Sequence, residues 1–233
     1  MKKSFSLILT FVTLFLIQGQ AQTADEIINK HIEARGGIEK LRALQSLIMQ
    51  GTMAQVNGNV EMKHYFVQGK AMKIEFTSAG QSGYSITTDK GFWYFNPSNP
   101  SIEVEYTEDQ LKDMQSGLDL QGPLVDYKTK GNTVEYLGKE NSQGLEYYKL
   151  KLTRVNGKTQ TYYLDKNYLI AKLVFTTIVQ QFENEVTIEY SDYRKTPEGY
   201  VISFKVVDRG LATSFHKVEI NPKIDDSIFK PSN

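Results

Sequence analysis

The sequence predicts an α+β chain: a strongly curved antiparallel sheet of eleven or twelve strands, covered by helices near the N-terminus and a short central helix. Three observations carry this. Apolar and polar residues alternate at period two from Gln45 nearly to the end. The alternating runs are joined by turns of a few residues, which forces antiparallel neighbours because a parallel crossover needs about a dozen residues. Helix-capping signals fall before Gln45 and again at Thr107. So many strands cannot stay in a flat twisted sheet without curling.

The first 21 residues stand apart. Lys2 and Lys3 form a positive start, Phe5 to Ile17 is a weakly polar to apolar run, and Gly19-Gln20-Ala21 supplies the small residues a signal peptidase needs. The run is shorter than the roughly 20 residues of a spanning helix, so a signal peptide cleaved after Ala21 is expected rather than an anchor. Residues 22–233 then form a single domain, long enough for one sizeable core.

Charge excludes some partners. Lys and Arg number 27 and Asp and Glu 27, for a net charge of zero at pH 7. Losing Lys2 and Lys3 leaves a slight acidic excess without charge blocks, so nucleic acid and polybasic membrane contact are not expected. There is no cysteine. The core must hold the fold without disulfides, and the chain itself cannot be lipidated at a lipobox.

Thr23-Ala24-Asp25-Glu26 reads as a capping box opening a helix that runs to about Ala34, with Ile28 and Ile32 on one face. Gly36-Gly37 ends it, and Ile38, Leu41 and Leu44 mark a second short helix. Leu47, Met49 and Met53 then alternate, Asn57-Gly58 reads as a tight hairpin turn, and Val60, Met62, His64 and Phe66 share a face. Met72, Ile74 and Phe76 follow, then short strands at 84–88 and 91–96. A breaker cluster at Asn96–Pro100 precedes a second capping box, Thr107-Glu108-Asp109-Gln110, which opens a helix carrying Leu111 and Met114. Seven strands are expected after residue 131, with turns at Asn156-Gly157, Asp165–Asn167, Pro197–Gly199 and Asp208–Gly210.

A curved sheet has a concave face. Met49, Met53, Met62, Phe66, Met72, Ile74, Phe76 and Trp93 are the large apolar residues expected on it, and the 97–131 segment with Leu111 and Met114 is the expected lid. Methionine suits adaptable apolar surfaces. An ordinary core packed beneath the helices explains the same pattern, since clustered apolar residues are usually core.

No catalytic residue, metal ligand or cofactor is assigned. His31, His64 and His216 lack partners at ligand spacing. Ser214-Phe215-His216-Lys217 matches S-x-x-K, but strand alternation is expected to send Ser214 and Lys217 to opposite faces. Gly80-Gln81-Ser82-Gly83 lacks the last glycine and the helix of a nucleophile elbow. Glu103 and Glu105 read as a solvated strand-face pair, and no dinucleotide or phosphate loop is present.

Three stretches carry a family likeness. Ala24-Asp25-Glu26-Ile27-Ile28-Asn29-Lys30-His31 with Ala34-Arg35-Gly36-Gly37 and Leu41 resembles the opening of LolA-like proteins of Bacteroidetes-type bacteria, the outer membrane lipoprotein-sorting proteins. Val186-Thr187-Ile188-Glu189-Tyr190-Ser191-Asp192-Tyr193 with Gly199-Tyr200-Val201-Ile202 resembles their late hairpin. Ile224-Asp225-Asp226-Ser227-Ile228-Phe229-Lys230-Pro231 resembles their C-terminal finish. The resemblance implies an incomplete β-barrel of about eleven strands, plugged by helices that leave an apolar cavity.

It also implies a function: a periplasmic, monomeric carrier of lipoprotein acyl chains or other lipid, running from an inner-membrane donor to an outer-membrane acceptor. The alternative is a non-catalytic sensor or protein-interaction module on the same fold, as in the RseB/MucB group. LolA locks its lid with an arginine of the early strands. This chain has Lys63, Lys70 and Lys73 there and no arginine between Arg42 and Arg154, so that lock does not transfer.

Overall fold

The computed structural model describes residues 22–56, 58–98, 106–179 and 182–231; the expected signal peptide, Glu103 and Glu105 lie outside them. Thr23 caps α1 (Ala24–Ala34) with both bonds of the capping box in place: its hydroxyl accepts from the Glu26 amide and the Glu26 carboxylate accepts from the Thr23 amide. α2 (Ile38–Ala43) follows across Gly36 and Gly37. Their buried apolar residues, Ile27, Ile28, Ile32 and Leu41, form one stripe.

Twelve strands follow: β1 (Ser46–Met53), β2 (Val60–Val67), β3 (Ala71–Ser78), β4 (Gln81–Thr88), β5 (Gly91–Phe95), β6 (Thr133–Ser142), β7 (Leu145–Thr153), β8 (Thr159–Leu164), β9 (Ile170–Val179), β10 (Phe182–Lys195), β11 (Val201–Asp208) and β12 (Leu211–Ile220). α3 (Glu108–Ser116) lies between β5 and β6, and a 3-10 helix (Asp226–Phe229) follows β12. The fold is an α+β incomplete barrel with one strand more than the resemblance implies. Every described pairing is antiparallel, and the order is β5-β4-β3-β2-β1-β12-β11-β10-β9-β8-β7-β6. Two meanders therefore meet at the β1–β12 pair, and β5 and β6 are the open edges.

Packing shows the curvature. Val134 of β6 and Ile220 of β12 both pack on the cluster formed by Ile27, Ile28 and Leu41. Six places along a flat sheet would separate those strands by about 29 Å. An 11-residue helix is only about 16 Å long, so the sheet must wrap around it. The tightest core lies here: Leu150, Leu152, Tyr162 and Leu164 from β7 and β8 meet α1, α2, Leu124 and Val125.

β1 and β2 are joined by residues 54–59, and Asn57 of the expected Asn57-Gly58 turn lies outside the described residues. One local expectation changes: Ser214 and Lys217 fall on the same face, not opposite ones. A bulge shifts the register so that Ser214 pairs with Thr52 and Lys217 with Gln50. Ser214 is exposed, and the Lys217 ammonium sits 2.9 Å from the Glu219 carboxylate, which removes it as a base for the hydroxyl.

Candidate binding face

Register decides what each strand shows to the barrel interior. On β1, Leu47, Met49, Gly51 and Met53 face inward; opposite them on β2 stand Phe66, His64, Met62 and Val60. The next ladder adds Met72, Ile74 and Phe76, and the one after it Thr87, Ser85 and Gly83. On β5 the inward residues are Phe92 and Tyr94. The outward side of the same strands carries Lys63, Tyr65, Lys73 and Glu75, with Lys73 and Glu75 paired at 2.8 Å. The inward face is mostly apolar, and the outward face carries these charged side chains beside a small second core of Ala71, Ile86 and Phe229.

The apolar face is filled unevenly. Met49 is buried in a cluster with Leu47, Phe204 and Phe215. Met53, Met62, Phe66, Met72, Ile74 and Phe76 are only half-buried. α1 and α2 pack on the β6–β12 half, so the β1–β5 half keeps a partly open apolar wall.

Trp93 corrects the expected set. It pairs with Ile86 on the outward side and packs with Ala71, Ile86 and Phe229 of the 3-10 helix in a separate core. Phe92 and Tyr94 take the inward places. The Tyr94 ring stacks on Phe76 at 6.1 Å, and the Phe92 ring meets Tyr106 edge-on at 4.9 Å.

α3 crosses the open side of the barrel. Its Gln115 amide donates to the Thr88 and Asp89 carbonyls at the end of β4, at 3.0 and 3.1 Å. Its Asp113 pairs with Lys158 in the β7–β8 turn at 2.6 Å, and Gln110 donates to the Ile178 carbonyl of β9. β4 and β8 are eight places apart, about 38 Å in a flat sheet. A helix of nine residues, about 14 Å, links them because the edges curl towards each other. Leu111 and Met114 are half-buried on it, and α3 has no fully buried residue. It is a strap held by polar bonds at its ends.

Two glycines let rings lie flat on the wall. A Cβ on Gly83 would run into the Phe76 ring, and one on Gly51 would lie 2.9 Å from the Phe215 ring. A glycine inside a strand often marks such a close approach, the sequence signal that could have found both sites.

His64 is the polar residue in the middle of β2. Its ring stands edge-on to Phe215 at 5.2 Å and to Phe66 at 6.1 Å. Burial lowers its pKa to about 4, so it is neutral at pH 7. Its Nε2 is buried without a hydrogen-bond partner. His31 Nε2 is buried without a partner too, but its Nδ1 lies 2.8 Å from the Tyr168 carbonyl, and burial, then the nearby Arg35 cation, lower its pKa to about 3. It seats α1 on the β8–β9 turn.

Two surface grooves lie elsewhere. One of about 240 Å³ runs along the outward side between Trp93, Lys70, Asp226 and Phe229. The other, about 430 Å³, lies beside α2 between Lys40, Glu198 and Tyr200. Both border charged side chains, unlike the inward wall. Among the described residues no three His, Asp or Glu side chains gather as metal ligands, and no helix is long and apolar enough to cross a membrane.

No family model and no curated protein matches the chain. Solved structures do. A LolA superfamily protein from Nitrosomonas europaea is 14% identical, with 91% of this chain and 99% of that one covered and a TM-score of 0.53. A DUF1329 family protein from Desulfovibrio piger is 12% identical over 90% and 98%, with a TM-score of 0.50. An outer membrane lipoprotein-sorting protein domain from Vibrio parahaemolyticus, described as putative, is 13% identical over 88% and 94%, with a TM-score of 0.48. At such identities the likeness is one of fold.

Proposed function

We propose that this chain, which has the LolA-like fold, is a non-catalytic periplasmic carrier holding lipoprotein acyl chains or other lipid against the inward wall of β1–β5. One observation carries the reading. Half of the barrel interior is packed by α1, α2 and the 118–125 segment, while in the other half Met53, Met62, Met72, Ile74 and Phe76 are only partly buried beneath a polar-tethered strap. A chain with no use for that wall would fill it, because apolar surface left in water loses about 25 cal/mol per Å². An acyl chain covering it gains about 0.8 kcal/mol per buried CH₂. The leader directs export, and cargo passes from an inner-membrane donor to an outer-membrane acceptor.

A second reading rests on one end of the barrel. Val56, Val155, Phe182 and Leu211 are exposed at or beside the strand ends that the antiparallel order places at that end. Exposed apolar turns suit a protein-interaction module as well as a site of cargo exchange. Native mass spectrometry of the mature protein, followed by lipid extraction, separates the two. The carrier reading expects a bound or loadable lipid at about one per chain. A chain that neither retains nor takes up lipid, but is recovered cross-linked to a protein through those turns, would be the interaction module.

A further inference from the structure

The inward wall of β1–β5 is mostly apolar, with Thr87, Ser85 and the Tyr94 hydroxyl on its β4–β5 side and His64 in its middle. His64 sits in the middle of β2, between Met49 and Ile74 across the two ladders, with Phe66 and Phe215 edge-on to its ring. A histidine kept for packing alone is costly here, since a buried polar atom without a partner loses its hydration for nothing. The other uses of a histidine do not fit. Among the described residues no second ligand gathers for a metal. Among the described residues no side chain, charged or neutral, pairs with its Nε2, and burial keeps the ring neutral at pH 7. What remains is a neutral imidazole in an apolar groove, which suits an uncharged hydrogen-bonding atom at the end of an apolar ligand.

We infer that His64 Nε2 is the polar contact of the groove, donating to the ester or amide carbonyl through which an acyl chain is attached. This rests on the carrier reading and adds its specificity: the wall takes up the methylene chain and His64 registers the linkage. The carbonyl sits where β1, β2 and β12 adjoin, beside Phe215. The chain runs from there across Met62, Ile74 and Phe76 towards Tyr94. A free fatty acid, ionised at pH 7, is disfavoured, since nothing in the wall compensates its charge.

The test is displacement of a fluorescent acyl probe from the mature protein by methyl palmitate, N-methylpalmitamide and palmityl methyl ether. These ligands share a chain length and differ at the linkage. The ester and amide arms separate glycerol-linked from amine-linked chains. The wild type is expected to prefer at least one carbonyl ligand over the ether by about tenfold, the worth of one buried hydrogen bond. His64→Phe, which keeps an edge-on ring, brings that ratio to about one, and His64→Gln, which keeps a donor, restores part of it. In the wild type, the ¹⁵N signal of His64 Nε2 moves with the preferred carbonyl ligand and not with the ether, a readout that needs no variant to fold. Equal affinity for all three ligands, or a preference that survives in His64→Phe, overturns the assignment and leaves the carrier reading standing. Failure of the probe itself to bind overturns both.

Discussion

Gly83 of β4 stands directly across the ladder from Phe76 of β3, and the Phe76 ring occupies the space a side chain on Gly83 would need. The ring therefore lies against the sheet and stacks on Tyr94. Gly83→Val should push the ring into the groove. Overpacking of this kind costs about 1–3 kcal/mol. Thermal unfolding should show that loss, and acyl-probe affinity should fall severalfold; unchanged affinity with Phe76 displaced would mean the groove lies elsewhere.

The two sides of the β1–β5 half should be separable. Phe229 is buried on the outward side with Ala71 and Ile86. Phe229→Ala should cost about 3 kcal/mol by leaving a cavity. Acyl binding should not change. Trp93 is the one tryptophan in the chain and lies in that same core, so its fluorescence should follow the mutation and stay constant when lipid is added. A ligand-dependent Trp93 signal would contradict the division of faces.

Acid should destabilise the fold early. His31 and His64 have folded pKa values of about 3 and about 4, below the ordinary 6.5. The unfolded chain therefore binds protons that the folded chain refuses. Stability is full above pH 6.5 and is lost as pH falls towards 4, with a slope approaching 2.7 kcal/mol per pH unit, about 1.36 for each histidine. Asp25, Asp126 and Asp192, held low first of all by hydrogen bonds from Lys128, Arg42 and Arg194, add their losses below about pH 4. Urea titrations at pH 7, 6 and 5 check this, and His31→Gln should flatten the slope.

The strap should govern exchange more than stability. The Asp113–Lys158 pair is partly exposed, and such pairs contribute about 1 kcal/mol or less. Asp113→Ala with Lys158→Ala should leave the unfolding temperature within a few degrees and speed release of an acyl probe severalfold. The chain has no cysteine, so Asp113→Cys and Lys158→Cys can be joined by a short bis-maleimide. Exchange in the joined protein should slow. Equal release rates in all three forms would remove the strap from the pathway.

Much of this was legible in the sequence where a local rule operates. Both capping boxes form because Thr23 with Glu26 and Thr107 with Gln110 satisfy amides within one turn. The alternation of Met49, Met53, Met62, Phe66, Met72, Ile74 and Phe76 gave the inward face because β1–β3 are long and regular. Trp93 was misplaced because β5 is only five residues long and apolar on both sides, so alternation cannot say which side is inward. Its partner on the outward side, Phe229, is more than 130 residues away in sequence. The bulge in β12 that brings Ser214 and Lys217 to one face leaves no periodic trace. Leu118, Leu124 and Val125 are buried in an irregular segment where no period marks them. His64 read as a strand histidine like any other. Its isolation becomes visible only when Phe215, from the far end of the chain, closes over it.

The most direct measurement of the central claim uses the methionines. Of six in the chain, all but Met1 lie on the proposed wall or strap: Met49, Met53, Met62, Met72 and Met114. Methyl-¹³C methionine spectra of residues 22–233 should show five signals, and a spin-labelled stearoyl ester should broaden those of Met53, Met62, Met72 and Met114 in a saturable way. Saturable binding that leaves all five signals sharp would contradict an acyl site on the inward wall of β1–β5.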